Sequence, residues 1–266
     1  MKRLLITGAA GGLGSMCRAR LGHMAEVLRL SDIEGLGEAA PNEELMPCDL
    51  GDAAAVDRLV EGCDGIVHLG GVSVEQPWTP IRNANIDGVF HLFEAARRHG
   101  HPRILFASSN HAIGFYPQTE RIGPDVPTRP DGLYGVSKVF GEAMASMYHD
   151  KFGQETAIVR IGSCFPEPRN HRMLATWMSE ADFVRLIECV FRVPKLGCPV
   201  IYGASDNDRS WWDNRNAPLI GWRPEDNAES FRERLDAAME VPAPDAPDAV
   251  WQGGFFAADG IHEEKG

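Results

Sequence analysis

The chain has 266 residues, 44% hydrophobic and 24% charged, with a formal charge of −12. A chain of this size buries a large core, so neither disulfides nor a metal are needed to hold it together. The acidic balance argues against a nucleic-acid or anionic-membrane surface, because no excess of cations would release phosphate counterions, although a local basic pocket stays open.

The chain starts Met1-Lys2-Arg3-Leu4-Leu5-Ile6, which has the flavour of a secretory leader. The apolar run is too short and three spaced glycines follow at once, so it predicts a first strand over Arg3–Thr7. No apolar run is long enough to cross a bilayer. The six cysteines show no C-x-x-C pair and no zinc-ligand spacing. They read as small buried residues of a cytoplasmic protein with no metal. Further strands are predicted at Glu26–Leu30, Glu44–Cys48, Gly65–His68, Arg103–Ala107 and Thr156–Ile161. Helices are predicted at Ala53–Glu61, Ile86–His99 and from about Gly132 to Lys151, the last from a 3.6-residue period through Val136, Phe140, Ala143, Met144 and Met147. The alternation implies an α/β, Rossmann-type doubly wound parallel sheet over residues 1–165.

Residues 166–266 are expected to form a small substrate-binding portion packed on the same domain. Gly162–Met173 reads as a loop. Ser179 reads as the N-cap of a helix reaching Phe191, Cys198–Tyr202 as a strand and Asn227–Glu240 as a helix. The tail from Val241, with Pro242, Pro244 and Pro247, is expected to wrap the surface or to lack fixed structure in part.

Gly8, Gly11 and Gly14 form G-x-x-G-x-x-G directly after the first strand and open a helix. Glycines there let backbone N–H groups, including those of Gly12 and Leu13, approach a pyrophosphate at a helix N-terminus. Asp32 ends the second strand, 18 residues past Gly14. A carboxylate at that place accepts from ribose hydroxyls and repels a 2′-phosphate, which predicts NAD over NADP. Ile33 lies beside it. Asp49-Leu50 and Leu69-Gly70-Gly71 follow the third and fourth strands. In a doubly wound sheet they flank the same cofactor, Asp49 toward the adenine amino group.

Tyr134 and Lys138 lie four residues apart, on one face of a helix. The preceding strand ends in Phe106-Ala107-Ser108-Ser109. Here the sequence resembles the short-chain dehydrogenase/reductase superfamily, of the extended type, through its Y-x-x-x-K signature and strand-end serine. The resemblance implies that Tyr134 is the base, Ser109 orients the substrate oxygen, and Lys138 holds the nicotinamide ribose. A free phenol titrates near ~10, too high for a base at neutral pH, and a neighbouring ammonium favours the phenolate. Asn85, in Asn85-Ile86-Asp87-Gly88, matches the family asparagine near the nicotinamide; read alone, it is equally a helix-start cap.

Ser73, Ser109, Asn110, His111 and Ser163 offer hydroxyl-reading groups. Arg172 offers a fork for a carboxylate, either a substrate's or one of the protein such as Glu167 or Asp213. The mixture suits a sugar acid. His111 alone also reads as a packed loop histidine, and Trp177, Trp211 and Trp212 as packing residues.

The stretches Ala107-Ser108-Ser109-Asn110-His111, Tyr134-Gly135-Val136-Ser137-Lys138, Ile161-Gly162-Ser163-Cys164-Phe165-Pro166 and Trp211-Trp212-Asp213 resemble the uronate dehydrogenase family across nearly the full length. That resemblance implies oxidation of D-glucuronate and D-galacturonate at C1 by NAD, giving an aldarolactone. It implies Arg172 on the C6 carboxylate, with Ser73, Ser109, Asn110, His111 and Ser163 around the sugar and Cys164 near the nicotinamide. It also implies a homo-oligomer, a dimer or larger, up to a hexamer. The alternative is a nucleotide-sugar epimerase or dehydratase of the same extended type, which generally carries a larger C-terminal domain than this chain has.

Overall fold

A computed structural model describes residues 1–33 and 35–264. Seven strands form one sheet: β1 (Arg3–Thr7), β2 (Val27–Ser31), β3 (Glu43–Leu45), β4 (Gly65–His68), β5 (Arg103–Ser109), β6 (Thr156–Ile161) and, further along the chain, β9 (Val200–Gly203). Their order is β3-β2-β1-β4-β5-β6-β9, and each adjacent pair is parallel. A two-stranded patch joins β7 (Ser163–Cys164) to β8 (Trp177–Met178).

Strand alternation sends neighbouring side chains to opposite faces. Leu4 and Ile6 enter one core, with Cys17 and Leu21 at α1 (Gly12–Arg20) and with Phe183 and Leu186 of α7 (Glu180–Arg192). Leu5 enters the other, with Val56 and Leu59 of α2 (Ala53–Val60), Leu92 and Phe93 of α4 (Gly88–Arg98), and Met144 and Tyr148 of α5 (Leu133–Phe152). Both faces are covered, as a parallel sheet requires. Strand order reverses direction beside β1, so a crevice opens at the C-terminal ends of β1 and β4, where ligands of doubly wound sheets bind.

Helix ends follow local chemistry. Asp52 caps α2 by accepting from the N–H groups of Ala54 and Ala55. Ser179 caps α7 through Asp182 N–H at 2.9 Å. Gly153, at φ +72°, closes α5 in the left-handed conformation.

Several expected boundaries move. The expected helix Ile86–His99 starts regularly only at Gly88, because the short helix α3 (Trp78–Ile81) leads into a π-helical stretch, Arg82–Asp87. The expected strand Glu44–Cys48 pairs only over Glu43–Leu45, although Met46 and Cys48 still donate to Leu30 O and Asp32 O. The strand expected at Glu26–Leu30 is Val27–Ser31, and the one expected at Cys198–Tyr202 is Val200–Gly203. The expected loop Gly162–Met173 contains β7 and leads into α6 (Met173–Thr176). The expected helix Asn227–Glu240 is a 3-10 turn, Ala228–Phe231, followed by α8 (Arg232–Ala238).

The tail runs mostly along the surface. It forms α9 (Pro247–Val250), then buries Gln252 completely. Gln252 Nε2 donates to Pro117 O and Glu120 O, and its Oε1 accepts from Trp212 Nε1. Among the described residues, no helix is long and apolar enough to cross a membrane, and no cluster of three or more His, Cys, Asp or Glu could hold a metal.

Candidate active site

The first wall of the crevice is the glycine loop. Gly8 has φ +69°, and a Cβ there would sit 2.8 Å from Gly70 N, so the ends of β1 and β4 meet only because both residues lack side chains. A Cβ on Gly14 would strike Gly8 O at 2.0 Å, which packs α1 tightly onto the loop. Gly11 and Gly12 are exposed, and a Cβ on Gly12 would meet nothing within 4 Å. Leu13 is half-buried in the first turn of α1, which no side chain caps. Asp32 follows β2, accepts from Ala10 N–H at 2.9 Å and Ile33 N–H at 2.8 Å, and so faces the glycine loop; Ile33 is exposed. An open helix N-terminus, a close-approach loop and an acid at the end of β2 fit a dinucleotide.

The second wall follows β4. Thr7 Oγ1 accepts from Gly70 N–H at 3.0 Å and shares a hydrogen bond with His68 Nδ1 at 2.8 Å. Burial pushes His68 down to about 3, with the Lys138 charge adding to this, so the ring stays neutral. Leu69 is half-buried and Gly71 exposed. Asn85 caps no helix. It brackets Val72, with Oδ1 accepting Val72 N–H and Nδ2 donating to Val72 O, and a further bond to Ser137 Oγ ties it to α5. A Cβ on Gly71 would lie 2.4 Å from Asn85 Oδ1, so that bracket needs glycine. Asp49 is exposed and holds its own turn through Gly51 N–H, with Leu50 buried behind it.

The reactive groups meet on α5 and at the end of β5. Tyr134 and Lys138 are buried on one helix face, with Lys138 Nζ 5.4 Å from the Tyr134 ring centre. Lys138 Nζ donates to Ala107 O at 2.9 Å. Ser109 stands beside the Tyr134 phenol and favours its ionised form, while its Oγ accepts from His111 N–H. Its neighbour Ser108 faces away and donates to Glu142, which is paired with Arg160 in the core. Burial pushes Tyr134 up to about 12, only partly offset by the neighbouring Ser109, while Asp131 adds to the rise. Burial also pushes Lys138 down to about 8. Burial is thus the main cause at both groups, and the positive nicotinamide ring is the further charge expected to favour the phenolate.

Around this centre the other expected residues fall into two sets. Asn110 and Arg172 interlock. With the Asn110 amide turned so that Nδ2 donates to Ile161 O, its Oδ1 accepts from Arg172 Nη2 at 2.7 Å. Arg172 Nε also donates to Gln252 O at 2.8 Å, and Nη2 donates to the same carbonyl. One edge of the guanidinium fork is thus filled by the protein. Among the described residues Arg172 forms no salt bridge, and Glu167 and Asp213 pair with Arg234 and Arg215 instead. Burial lowers Arg172 to about 10, while Asp248 and then Asp131 help to keep it charged. His111 lies edge-on to Tyr134 at 5.7 Å and against the Phe256 ring at 4.0 Å.

The second set ranges from buried to exposed. Ser163 Oγ is buried against Thr176 Oγ1 at 2.9 Å. Ser73 is exposed, on the loop after Gly71. Cys164 is half-buried, its thiol pushed up by burial. Trp212 stacks on Tyr202, and Trp177 donates to Phe165 O. Four residues that the sequence did not single out also shape the site. Glu75 accepts from the N–H groups of Leu133 and Tyr134, and Asp131 accepts from His111. Gln252 and Phe256 come in from the tail.

Comparison with known proteins agrees with this geometry. Residues 4–189 match the NAD dependent epimerase/dehydratase family. Uronate dehydrogenase of Agrobacterium fabrum is 62% identical over 267 residues, covering 100% of both chains. The crystal structure of a variant of uronate dehydrogenase from Agrobacterium tumefaciens, complexed with NAD, superposes with a TM-score of 0.98 at 61% identity, covering 99% of this chain and 100% of that one. Glucuronic acid dehydrogenase from Chromohalobacter salexigens superposes at 0.96 with 56% identity over 98% of each chain. With a glycine loop, an acid after β2 and a Ser-Tyr-Lys centre on this topology, the chain belongs to the NAD dependent epimerase/dehydratase family, among its uronate dehydrogenases.

Proposed function

We propose that this protein oxidises D-glucuronate and D-galacturonate at C1 with NAD and releases the aldarolactone. The observation that carries the reading is Arg172, a cation held by Asn110 and Gln252 with no salt bridge among the described residues, beside the Ser109, Tyr134 and Lys138 centre. A buried cation calls for an anion, and the C6 carboxylate of a uronic acid supplies one. The relatives named above are, by name, a uronate dehydrogenase and a glucuronic acid dehydrogenase.

Glycines 8, 11, 12 and 14 with Leu13 would cradle the pyrophosphate, and Asp32 and Ile33 the adenosine ribose. Asp49, Leu50, Leu69, Gly70 and Gly71 would line the path, and Lys138 and the Cys164 backbone the nicotinamide end. Asn85 would act by fixing the Gly71–Val72 backbone. When bound, NAD accepts the hydride from C1 and brings a positive ring that favours the phenolate. Ser109 orients the C1 hydroxyl, and Tyr134 removes its proton as the C1 carbonyl forms, with the ring oxygen retained, so that the product is a lactone. Lys138 keeps a positive charge beside the phenol. Ser73, Asn110, His111 and Ser163 would set the sugar, Ser163 from behind through Thr176.

The test is NADH accumulation with galacturonate, glucuronate and galactose in parallel. Both uronates should reduce NAD and galactose should not. Equal rates on galactose would remove the carboxylate argument. An epimerase, which recycles its NAD, would accumulate no NADH. NADP should serve far worse than NAD, because Asp32 repels the 2′-phosphate; a preference for NADP would overturn that role.

A further inference from the structure

Asp131 has no part in the chemistry above, yet three segments of the chain are built around its carboxylate. Its side chain is completely buried. Oδ2 sits in a slot whose walls are Gly114, at the end of the turn after β5, and Gly253, in the tail. A Cβ on Gly114 would lie 1.9 Å from Oδ2, and a Cβ on Gly253 would lie 1.8 Å from it. Neither glycine has a left-handed backbone: Gly114 is at φ −61° and Gly253 at φ −73°. Their missing side chains serve space alone. The two walls are tied together by Gly253 N–H on Gly114 O at 2.9 Å.

Oδ2 accepts from His111 Nδ1 at 2.8 Å, while Oδ1 is buried with no partner among the described residues. Leaving a buried carboxylate oxygen unpaired is unfavourable, so packing alone does not explain an aspartate here. A carboxylate only accepts, so the His111 proton is on Nδ1. Nε2 then presents a lone pair and makes no bond to a described residue. The ring is held between the rings of Tyr134 and Phe256.

We propose that Asp131 is a positioning residue, which locks His111 in the Nδ1–H form so that Nε2 accepts a hydrogen bond from a hydroxyl of the sugar next to Tyr134. The inference rests on the uronate reading for the identity of the hydroxyl donor. The form of His111 does not depend on it. A competing explanation, that Asp131 acts by its charge on Tyr134, has the opposite sign. Burial is the main cause of the raised phenol and the Asp131 charge adds to it, so removing that charge would ease proton removal and speed the reaction.

The experiment is a double-mutant cycle on the full chain with NAD and galacturonate, using Asp131→Ala, His111→Ala and the pair, with NADH affinity measured by fluorescence as the control for folding. Each single variant should lose about 10- to 100-fold in kcat/KM, the scale of losing a carboxylate that orients a functional histidine. The double variant should lose no more than the worse single one. Multiplying losses, or an Asp131→Ala enzyme with wild-type kcat/KM, would overturn the proposal. If Asp131→Ala fails to bind NADH, Asp131→Asn, which fits the same slot, takes its place in the cycle. Nitrogen NMR of labelled histidine, with His111→Ala for assignment, supplies an arm independent of turnover. Wild type should show the His111 proton on Nδ1, and a proton on Nε2 would overturn the proposal. Should wild type oxidise no uronate, the function fails, and the NMR result still decides the role of Asp131.

Discussion

Lys138 and Tyr134 are two ionisable groups that the fold has buried together, and both titrate away from their ordinary values in the direction of neutrality. Such a pair costs stability and is kept where chemistry uses it. For Tyr134→Phe we expect kcat to fall by about 100- to 10,000-fold, the usual contribution of a positioned acid or base, with NADH affinity unchanged; a Phe variant turning over at the wild-type rate would remove Tyr134 as the base. Lys138 makes a separate prediction. Its folded pKa is about 8 against an ordinary 10.5, so the unfolded chain binds the proton more tightly between those values and stability rises with pH across that window. Below about pH 8 the folded state bears the full cost of a buried ammonium. Lys138→Met should therefore melt higher than wild type at pH 7, measured without added NAD, and lose that advantage above pH 10.5, while turnover is lost at both. An equal difference in Tm at the two pH values would show that packing, not charge, sets the effect. Tyr134, Lys138 and Ser109 were legible in the sequence because a four-residue helical spacing and a strand end are local facts. Asp131 was not, because what marks it is a slot between Gly114 and Gly253, 139 residues apart in the chain, and no local pattern records that approach.

The position of Tyr134 depends on how α5 begins. The helix has Gly132 before it and no cap of its own. Its first N–H groups, those of Leu133 and Tyr134, donate instead to the two oxygens of Glu75, each at 2.9 Å, from the loop after β4. A Cβ on Gly132 would sit 2.4 Å from Glu75 Oε2, so the glycine is what admits the carboxylate. A negative charge at a helix N-terminus also complements the helix dipole. Glu75→Ala should cost about 1–2 kcal/mol by urea unfolding and lower kcat more than it raises KM, because it loosens Tyr134, the proposed base. Glu75→Gln, which keeps an acceptor, should recover part of both losses; a Gln variant no better than Ala would point to the charge alone. At this scale the sequence was informative for β1, β4 and β6, whose buried apolar runs are bounded by turns, and for the Ser179 cap. It failed around Asn85, where hydrophobic spacing looks like one continuous helix. There the backbone widens into a π-helical stretch and the Asn85 side chain brackets Val72 and Ser137. It also overextended β3, since an edge strand pairs on one side only and its end is set by its partner.

For the molecule as a whole, the question is how a sheet built for a dinucleotide gains a pocket for a second ligand, and the tail provides part of the answer. A proline-rich polar terminus reads as surface wrapping, because the burial of Gln252 depends on partners 40 to 136 residues away. Gln118 donates to Asp248 O and Trp251 O, Gln252 N–H donates to Tyr116 O, and the Gln252 side chain engages Trp212. From that anchorage the Gln252 carbonyl holds Arg172, and Phe256 lies on His111. Among the described residues, no hydrogen bond runs from positions 246–264 to the glycine loop, Asp32 or Leu69–Gly71. On the proposed reading, the tail serves the sugar side of the site and the first half of the chain the cofactor side. Ending the chain at Asp245 should leave NADH affinity close to wild type and lower Tm, because Trp212 Nε1 and the guanidinium of Arg172 lose buried partners worth roughly 1–3 kcal/mol each. The same truncation should raise KM for galacturonate far more than KM for NAD. Steady-state kinetics with each ligand varied in turn, beside an NADH titration, separates the two sides. A truncated chain that keeps the wild-type KM for galacturonate would place the sugar site wholly on the sheet and its loops, whereas one that loses NADH binding would show that the tail supports the cofactor crevice as well.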